Sequence, residues 1–358
     1  MNITITGGGT GGHFFPALAV AQEFQRFDST HAIQFIGSAR GIEAQVLPKA
    51  GYALQTVAIK GFAGKGVVKK IESLVSIIPA VLHARRLLRV FGSDIVIGFG
   101  GYISFPAVIA GRLLGLPVAV HEQNSVPGLS NRLLAVCARR IFVTYEESRR
   151  FFPAHKTVRS GLPLRPFPVD RHGERSGDGT LTMCVLGGSQ GAREINTAVI
   201  GALPVLARCG TSLRFIHQTG PQDAGRVQDA YRRAGLQATV APFFDDMLAR
   251  FLETDLVISR AGAGTLAELA ACGRASILIP YPFAAGDHQR KNALMFQQQG
   301  AALLLEARDL SSEVLARRVI DLLGESGRLR RMAQQARLLA QPRAAQIIVE
   351  ECCRLAAA

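Results

Sequence analysis

The sequence predicts an α/β chain of two successive domains, each a parallel sheet with helices on both faces. Three observations carry this. Short apolar runs lead into glycine-rich turns and then into helical stretches, the alternation that parallel sheets require. The pattern breaks between Gly161 and Gly179, where Pro163, Pro166 and Pro168 precede a charged run from Arg171 to Gly179, the composition of an interdomain linker. It then restarts with a new strand and a new glycine turn. A chain of 358 residues is long for one core and comfortable for two.

The elements follow in order. Ile3 to Thr6 reads as a strand, Gly7 to Gly12 as a turn and Pro16 to Phe27 as a helix. Ala32 to Ile36 is a second strand. Ile95 to Ile97 leads through Gly98–Gly101 into a helix from Phe105 to Leu114, and Pro117 to His121 is a strand before a polar loop. Beyond the linker, Leu181 to Leu186 is a strand, Gly187 to Gly191 a turn and Ala192 to Leu206 a helix. Leu213–Gln218, Ala238–Pro242, Leu256–Ser259 and Ala275–Pro280 complete the strands. Ligands of open parallel sheets bind beyond the carboxyl ends of the strands, so two such domains facing each other form a cleft lined by these turns.

Composition narrows the function. Hydrophobic residues make up 48% and charged residues 19%, which excludes a disordered chain. Trp is absent and aromatics are 7%, so the cores are aliphatic. The six cysteines form no C-x-x-C pair and several lie in apolar runs; they read as reduced, with no disulfide framework or zinc site. The histidines lack metal-ligand spacing. A net charge of +14 calls for an anionic partner: nucleic acid, an anionic membrane or phosphorylated substrates. No nucleic-acid-binding signature is found. Met1–Thr6 runs into the glycine loop without a basic n-region, unlike a signal peptide. The most apolar stretch, Ile95 to Val120, is interrupted by Gly98, Gly100, Gly101, Pro106, Arg112 and Pro117 and is no membrane span. Any membrane contact is therefore peripheral. Lys60 to Arg89 offers one: Val67, Ile71, Leu74, Val75, Ile78, Val81 and Leu82 recur at helical spacing, flanked by Lys65, Lys69, Lys70, Arg85, Arg86 and Arg89. Such a helix either lies on an anionic leaflet or turns its apolar side to the core.

The turns carry the chemistry. Gly7-Gly8-Gly9-Thr10-Gly11-Gly12 matches G-x-G-x-x-G, where glycines admit a diphosphate to a helix N-terminus. A dinucleotide site expects an acidic residue after the second strand; Gly37-Ser38-Ala39-Arg40 stands there, and Arg40 leaves an NADP-dependent oxidoreductase as an alternative. His13, directly after the loop, is the candidate general base or a substrate hydrogen-bonding group. Gly187-Gly188-Ser189-Gln190-Gly191-Ala192 is a second anion-binding turn, Ser189 adding a hydroxyl. A leaving diphosphate held at a helix N-terminus needs no metal, and no Asp-x-Asp motif is present; Asp245-Asp246 reads as a helix cap. Ser259 to Thr265 follows a strand and opens a helix, with Thr265 as its cap and Glu268 one turn in, either on a ribose or as an ordinary first-turn acid. Asp287 to Asn292 is a polar loop after a strand, where Gln289 suits sugar hydroxyls or an amide. His121-Glu122-Gln123-Asn124 ends a strand and reads as a recognition loop, since four consecutive polar groups do not all belong to a core.

Five motifs in order, Gly8–His13, His121–Asn124, Gly187–Ala192, Ser259–Gly262 and Asp287–Gln289, resemble those of the MurG family of peptidoglycan N-acetylglucosaminyltransferases over essentially the whole chain. Gly286 stands where that family often has a second Asp. The resemblance implies a GT-B architecture of two Rossmann-like domains. It implies an inverting, metal-independent, cofactor-free transfer of N-acetylglucosamine from UDP-N-acetylglucosamine to undecaprenyl-linked lipid I, giving lipid II, at the cytoplasmic face of the membrane. The acceptor and membrane-facing domain is then expected at 1–163, the donor domain at 164–334, and a last helix, 335–358, back on the first. The implied roles put Thr10, Gly11, Gly12, His13 and the loop from Gly98 to Phe105 at the acceptor. Asn124 reaches the donor sugar from across the cleft, Ser189 and its turn meet the donor diphosphate, and Arg165 lies near the donor. Phe244, Ala263, Gly264, Thr265 and Leu266 line the uridine, Glu268 meets the ribose and Gln289 the sugar. Against this stand the NADP oxidoreductase, resting on one loop, and a non-catalytic basic membrane-binding protein, which leaves the glycine turns without a purpose.

Overall fold

The computed structural model describes residues 1–58, 77–166, 179–188 and 190–358. It divides into two units, Met1–Pro166 with Gln341–Ala358, and Phe167–Ala340. Both are α/β and both sheets are parallel throughout, as the alternation of strands and glycine turns predicts.

The first unit holds β1 (Asn2–Thr6), α1 (Gly11–Phe27), β2 (Ala32–Gly37), α2 (Ile42–Val46), β3 (Ala53–Thr56), α3 (Ile77–Phe91), β4 (Ile95–Gly98), α4 (Phe105–Leu113), β5 (Val118–Glu122), α5 (Leu129–Leu134), β6 (Arg140–Val143) and β7 (Thr157–Arg159). The seven strands lie in the order β3-β2-β1-β4-β5-β6-β7. β4 and β5 are buried along their whole length. Strands covered on both faces read as unbroken apolar runs, which is why Ile95–Ile97 and Val118–Val120 are visible in the sequence. α1 starts at Gly11, five residues before the predicted start at Pro16. Pro16 is inside the helix, where it forfeits the bond to the Gly12 carbonyl rather than opening the first turn.

The second unit holds β8 (Leu181–Leu186), α6 (Arg193–Leu206), β9 (Leu213–Gln218), α7 (Ala224–Ala234), β10 (Gln237–Ala241), α8 (Met247–Leu252), β11 (Leu256–Ser259), α9 (Ala263–Cys272), β12 (Ala275–Leu278), α10 (His288–Gln298), β13 (Ala302–Leu304), α11 (Ser312–Gly324) and α12 (Arg328–Leu338). Its strand order is β10-β9-β8-β11-β12-β13. The chain then returns to the first unit as α13 (Ala344–Ala357), which packs on α1. Ile348, Val349 and Cys352 of α13 are fully buried in one cluster with Ile3, Ile5 and Phe24.

In each sheet the order reverses beside the first strand, between β1 and β4 and between β8 and β11. Thr6 pairs with Gly98 and Leu186 with Ser259 at the carboxyl ends of those strands. Within each unit, the two loops that follow, from Gly7 and Phe99 in the first and from Gly187 and Arg260 in the second, therefore open beside each other at the switch point where open α/β sheets bind ligands.

Candidate active site

In the first unit the two switch-point loops touch backbone to backbone. A Cβ on Gly7 would stand 2.8 Å from Phe99 Cβ, and one on Gly101 would stand 3.4 Å from the Gly8 carbonyl oxygen. Gly100 and Gly101 both have positive φ, 89° and 75°. A Cβ on either would stand within 4 Å of the His13 ring. His13 Nδ1 lies 3.0 Å from Thr10 Oγ1. Thr10 is the N-cap of α1 but makes no side-chain cap bond, and no acid stands in the first turn. The hydroxyl that would cap the helix is turned to the imidazole, which leaves the helix terminus suited to an anion.

Behind these loops lies a buried polar frame. His121, Glu122 and Gln123 are almost wholly inaccessible; Asn124 is half-buried. The expected recognition loop is thus mostly internal scaffold. His121 Nε2 donates to the Gly161 carbonyl at 3.0 Å, so Nδ1 is the acceptor that meets Gln123 Nε2 at 3.2 Å. Burial drives the His121 pKa down to about 4, against the raising effect of the Gly161 carbonyl. The Glu122 carboxyl accepts the Asn124 N–H at 2.8 Å, the Asn131 amide at 2.8 Å and the Gly128 N–H at 3.2 Å. Burial still raises its pKa in spite of these bonds. Asn124 turns its own amide to Glu122 at 3.3 Å. Arg165 stacks its guanidinium 5.1 Å from the centre of the Phe15 ring within this unit.

In the second unit Gln218, the last residue of β9, bridges two site segments. Its amide donates to the Gly188 carbonyl at 3.1 Å and its oxygen accepts the Phe244 N–H at 2.9 Å. Phe244 is buried, with the Arg250 guanidinium 4.0 Å from its ring centre. Arg250 also takes Asp246, at 2.8 Å, so Asp246 precedes α8 at the N-cap without bonding a backbone N–H. The Gly191 turn lies directly against Thr219 and Gly220: a Cβ on Gly191 would fall 2.1 Å from the Thr219 carbonyl oxygen. Asn196 holds that carbonyl at 2.9 Å and Asp223 at 2.8 Å, and its own oxygen accepts His217 Nε2–H at 3.1 Å. Burial lowers the His217 pKa to about 3. At the N-terminus of α6, Glu194 is paired with Arg260, which also donates to the Ile279 and Pro280 carbonyls. An acid beside an anion site is repulsive; Arg260 neutralises it.

The glycosyltransferase family 28 N-terminal domain matches residues 3–143 and its C-terminal domain matches residues 182–348. The crystal structure of Acinetobacter baumannii MurG superposes with a TM-score of 0.79 at 32% identity, covering 99% of both chains. A UDP-N-acetylglucosamine--N-acetylmuramyl-(pentapeptide) pyrophosphoryl-undecaprenol N-acetylglucosamine transferase of Geotalea uraniireducens is 44% identical over 359 residues, 99% of this chain and 98% of that protein. The chain belongs to the MurG family. The transferase of the same name from Syntrophotalea carbinolica is 45% identical over 353 residues, 98% of each. A UDP-GlcNAc 2-epimerase of Neisseria meningitidis shares the fold alone, with a TM-score of 0.67 at 14% identity.

The structure brings the MurG motif residues into two groups, one per unit. Thr10, Gly11, Gly12 and His13 share the first turn of α1 and its cap. Ala263, Gly264, Thr265, Leu266 and Glu268 are on α9, whose N-cap is Gly262 and not Thr265. Thr265 falls inside the first turn because the helix begins as soon as β11 has released the chain. Leu266 and Ala263 are buried, so Leu266 gives its side chain to the core. Gln289 accepts the Tyr281 N–H at 3.0 Å through its side-chain oxygen. Ser189 lies outside the described residues. Sequence reasoning missed Gln218, Asn196, Asn131 and Glu43. The polar pair His217-Gln218 closing an apolar strand is a readable signal for the first; the others sit in no motif. Among the described residues no group of three or more His, Cys, Asp or Glu is placed to hold a metal ion.

Proposed function

We propose that this chain transfers N-acetylglucosamine from UDP-N-acetylglucosamine to undecaprenyl-pyrophosphoryl-N-acetylmuramyl-pentapeptide, forming lipid II. End-to-end likeness to transferases of that name, with both switch-point glycine turns in place, carries the reading. The first unit takes the lipid-linked acceptor and the second the nucleotide sugar. The acceptor hydroxyl attacks the anomeric carbon as the bond to UDP breaks, inverting that centre. Its proton passes to His13. Thr10 Oγ1 holds its Nδ1 at 3.0 Å and so orients the ring. The departing diphosphate is met by the N-terminus of α6 and the Gly187–Gly191 turn, a fixed electrostatic site. Ser189 adds its hydroxyl, Glu268 holds the ribose hydroxyls, Phe244 and Ala263–Leu266 enclose the uracil, and Gln289, Asn124 and Arg165 address the sugar and diphosphate.

The reaction proceeds at the cytoplasmic membrane surface. No helix among the described residues is long and apolar enough to cross a bilayer. Val81, Ala80, Ala84 and Leu88 of α3 face the core, whereas Ile78 and Leu82 are 65% and 59% exposed. The helix thus serves the core with one side and leaves an apolar stripe outside. Leu113 of the neighbouring α4 is also exposed, and Arg85, Arg86, Arg89 and Arg112 lie on the same two helices. Apolar side chains among arginines suit an anionic leaflet. The segment from Lys60 to Ser76 lies outside the described residues.

The test is transfer of labelled N-acetylglucosamine to a short-chain lipid I analogue. Glu268→Ala should lose at least tenfold in kcat/KM for the donor. A wild-type protein that forms no product and is not stabilised by UDP would overturn the assignment.

A further inference from the structure

Glu43, the second residue of α2, is fully buried beneath the first glycine loop. Its Oε2 accepts the Gly9 N–H at 3.2 Å and its Oε1 accepts the Ser38 N–H at 3.0 Å. Glycines from two segments, the β1–α1 loop and the β2–α2 connection, enclose it. A Cβ on Gly8 would stand 2.5 Å from its carboxyl, one on Gly41 2.1 Å and one on Gly37 3.0 Å from its Cγ. The carboxyl group ties the β1–α1 loop to the end of β2. The same loop presents Thr10 and His13 on its other side and rests on Gly101 through the Gly8 carbonyl. A glycine-rich loop in this position reads from sequence as a diphosphate cradle. Here Gly8 and Gly41 are closed against an internal carboxyl.

We propose that Glu43 is a positioning residue for the transfer reaction: its carboxyl, clamped between the Gly9 and Ser38 amides, fixes the loop that aligns the Thr10–His13 pair. This rests on the transferase reading. It makes Gly41 a glycine because of Glu43, not because of any ligand. The Gly41 φ of −83° is open to any residue, and the atoms nearest the methyl of an alanine are those of the carboxyl, which it expels.

The experiment compares Glu43→Gln, Glu43→Ala, Gly41→Ala and the Gly41/Glu43 double alanine variant in the full chain. Glutamine offers one acceptor and sets its NH2 against a second N–H, so one clamp is lost. Glu43→Gln and Gly41→Ala should each lower kcat/KM for the lipid I analogue at least tenfold. The dissociation constant for UDP should stay within twofold, and the ring nitrogen-15 shifts of His13 should move. In the double variant the second substitution should add nothing to the loss of transfer or to the fall in melting temperature, because the truncated side chain makes room for the methyl. Wild-type kinetics and His13 shifts in Glu43→Gln would overturn the proposal. So would losses that multiply in the double variant, or UDP affinity that falls in step with transfer. If the wild-type protein transfers nothing, the transferase reading fails, while the His13 shifts and the melting cycle still decide whether Glu43 sets the loop.

Discussion

Two buried imidazoles make this protein acid-sensitive in a definite direction. His121 and His217 have folded-state pKa values pushed down by burial to about 4 and about 3. In the unfolded chain each titrates near 6.5. Between those values the unfolded state binds more protons, so stability is complete above about pH 6.5 and is lost as pH falls toward 4. For His121 the full loss is on the order of 3 kcal/mol. Glu122 works against it, since its raised pKa favours protonation in the folded state. The melting temperature should therefore drop between pH 6.5 and 4, and His217→Gln should flatten the slope, as read by calorimetry across that range. Residues in motifs were legible in the sequence because their types are rare together: Thr10, His13 and Gln289 stand among glycines or consecutive polar groups. Glu43 was not, because its partner Gly9 is 34 residues away and both its bonds are to backbone amides. Nor was the burial of His121–Gln123, whose partners Gly161 and Phe99 come from distant segments.

The short strands define what can be read at the next scale. β8, β9 and β11 were legible to both ends because each is an apolar run closed by a glycine, polar or charged residue. β3 was not: it is an edge strand with three of its four residues exposed or nearly so, and it carries no apolar pattern. β7 and β13 have three residues each, too few for a period to show. The turn after β8 shows how one backbone contact joins two elements. Gly191 has a φ of 77° and no room for a methyl beside the Thr219 carbonyl. Gly191→Ala should destabilise the second unit by about 2–4 kcal/mol, measured by urea unfolding, and should weaken UDP binding in the same sample. Gln218→Leu removes two bonds, to Gly188 and to the Phe244 amide. It should raise the UDP dissociation constant severalfold by equilibrium titration while leaving acceptor KM unchanged.

Each unit has its own cores. The clusters around Phe215 and Leu266 draw only on 181–340, and those around Phe24 and Val96 only on 1–158 and 345–356. Calorimetry should resolve two transitions, and UDP at a hundred times its dissociation constant should stabilise the second unit's by about 2.7 kcal/mol. On the membrane reading proposed above, Ile78→Glu with Leu82→Glu in the first unit should release the protein from vesicles of anionic lipid without changing UDP affinity, measured by sedimentation and titration. The alternation of the two halves was legible because it repeats over more than a hundred residues, which no single element does. The seam between α13 and α1 bears on how the protein is made. On the ribosome the second unit has its whole sequence while the first still lacks residues 344–357 and, with them, the filling for the space beside Ile3, Ile5 and Phe24. Of the two units the one begun first is completed last, so a nascent chain carries an open apolar seam beside β1 and α1 until residues 344–357 have been made, and a stop codon just after Ala340 should spare the second unit and send the first to chaperones and proteases.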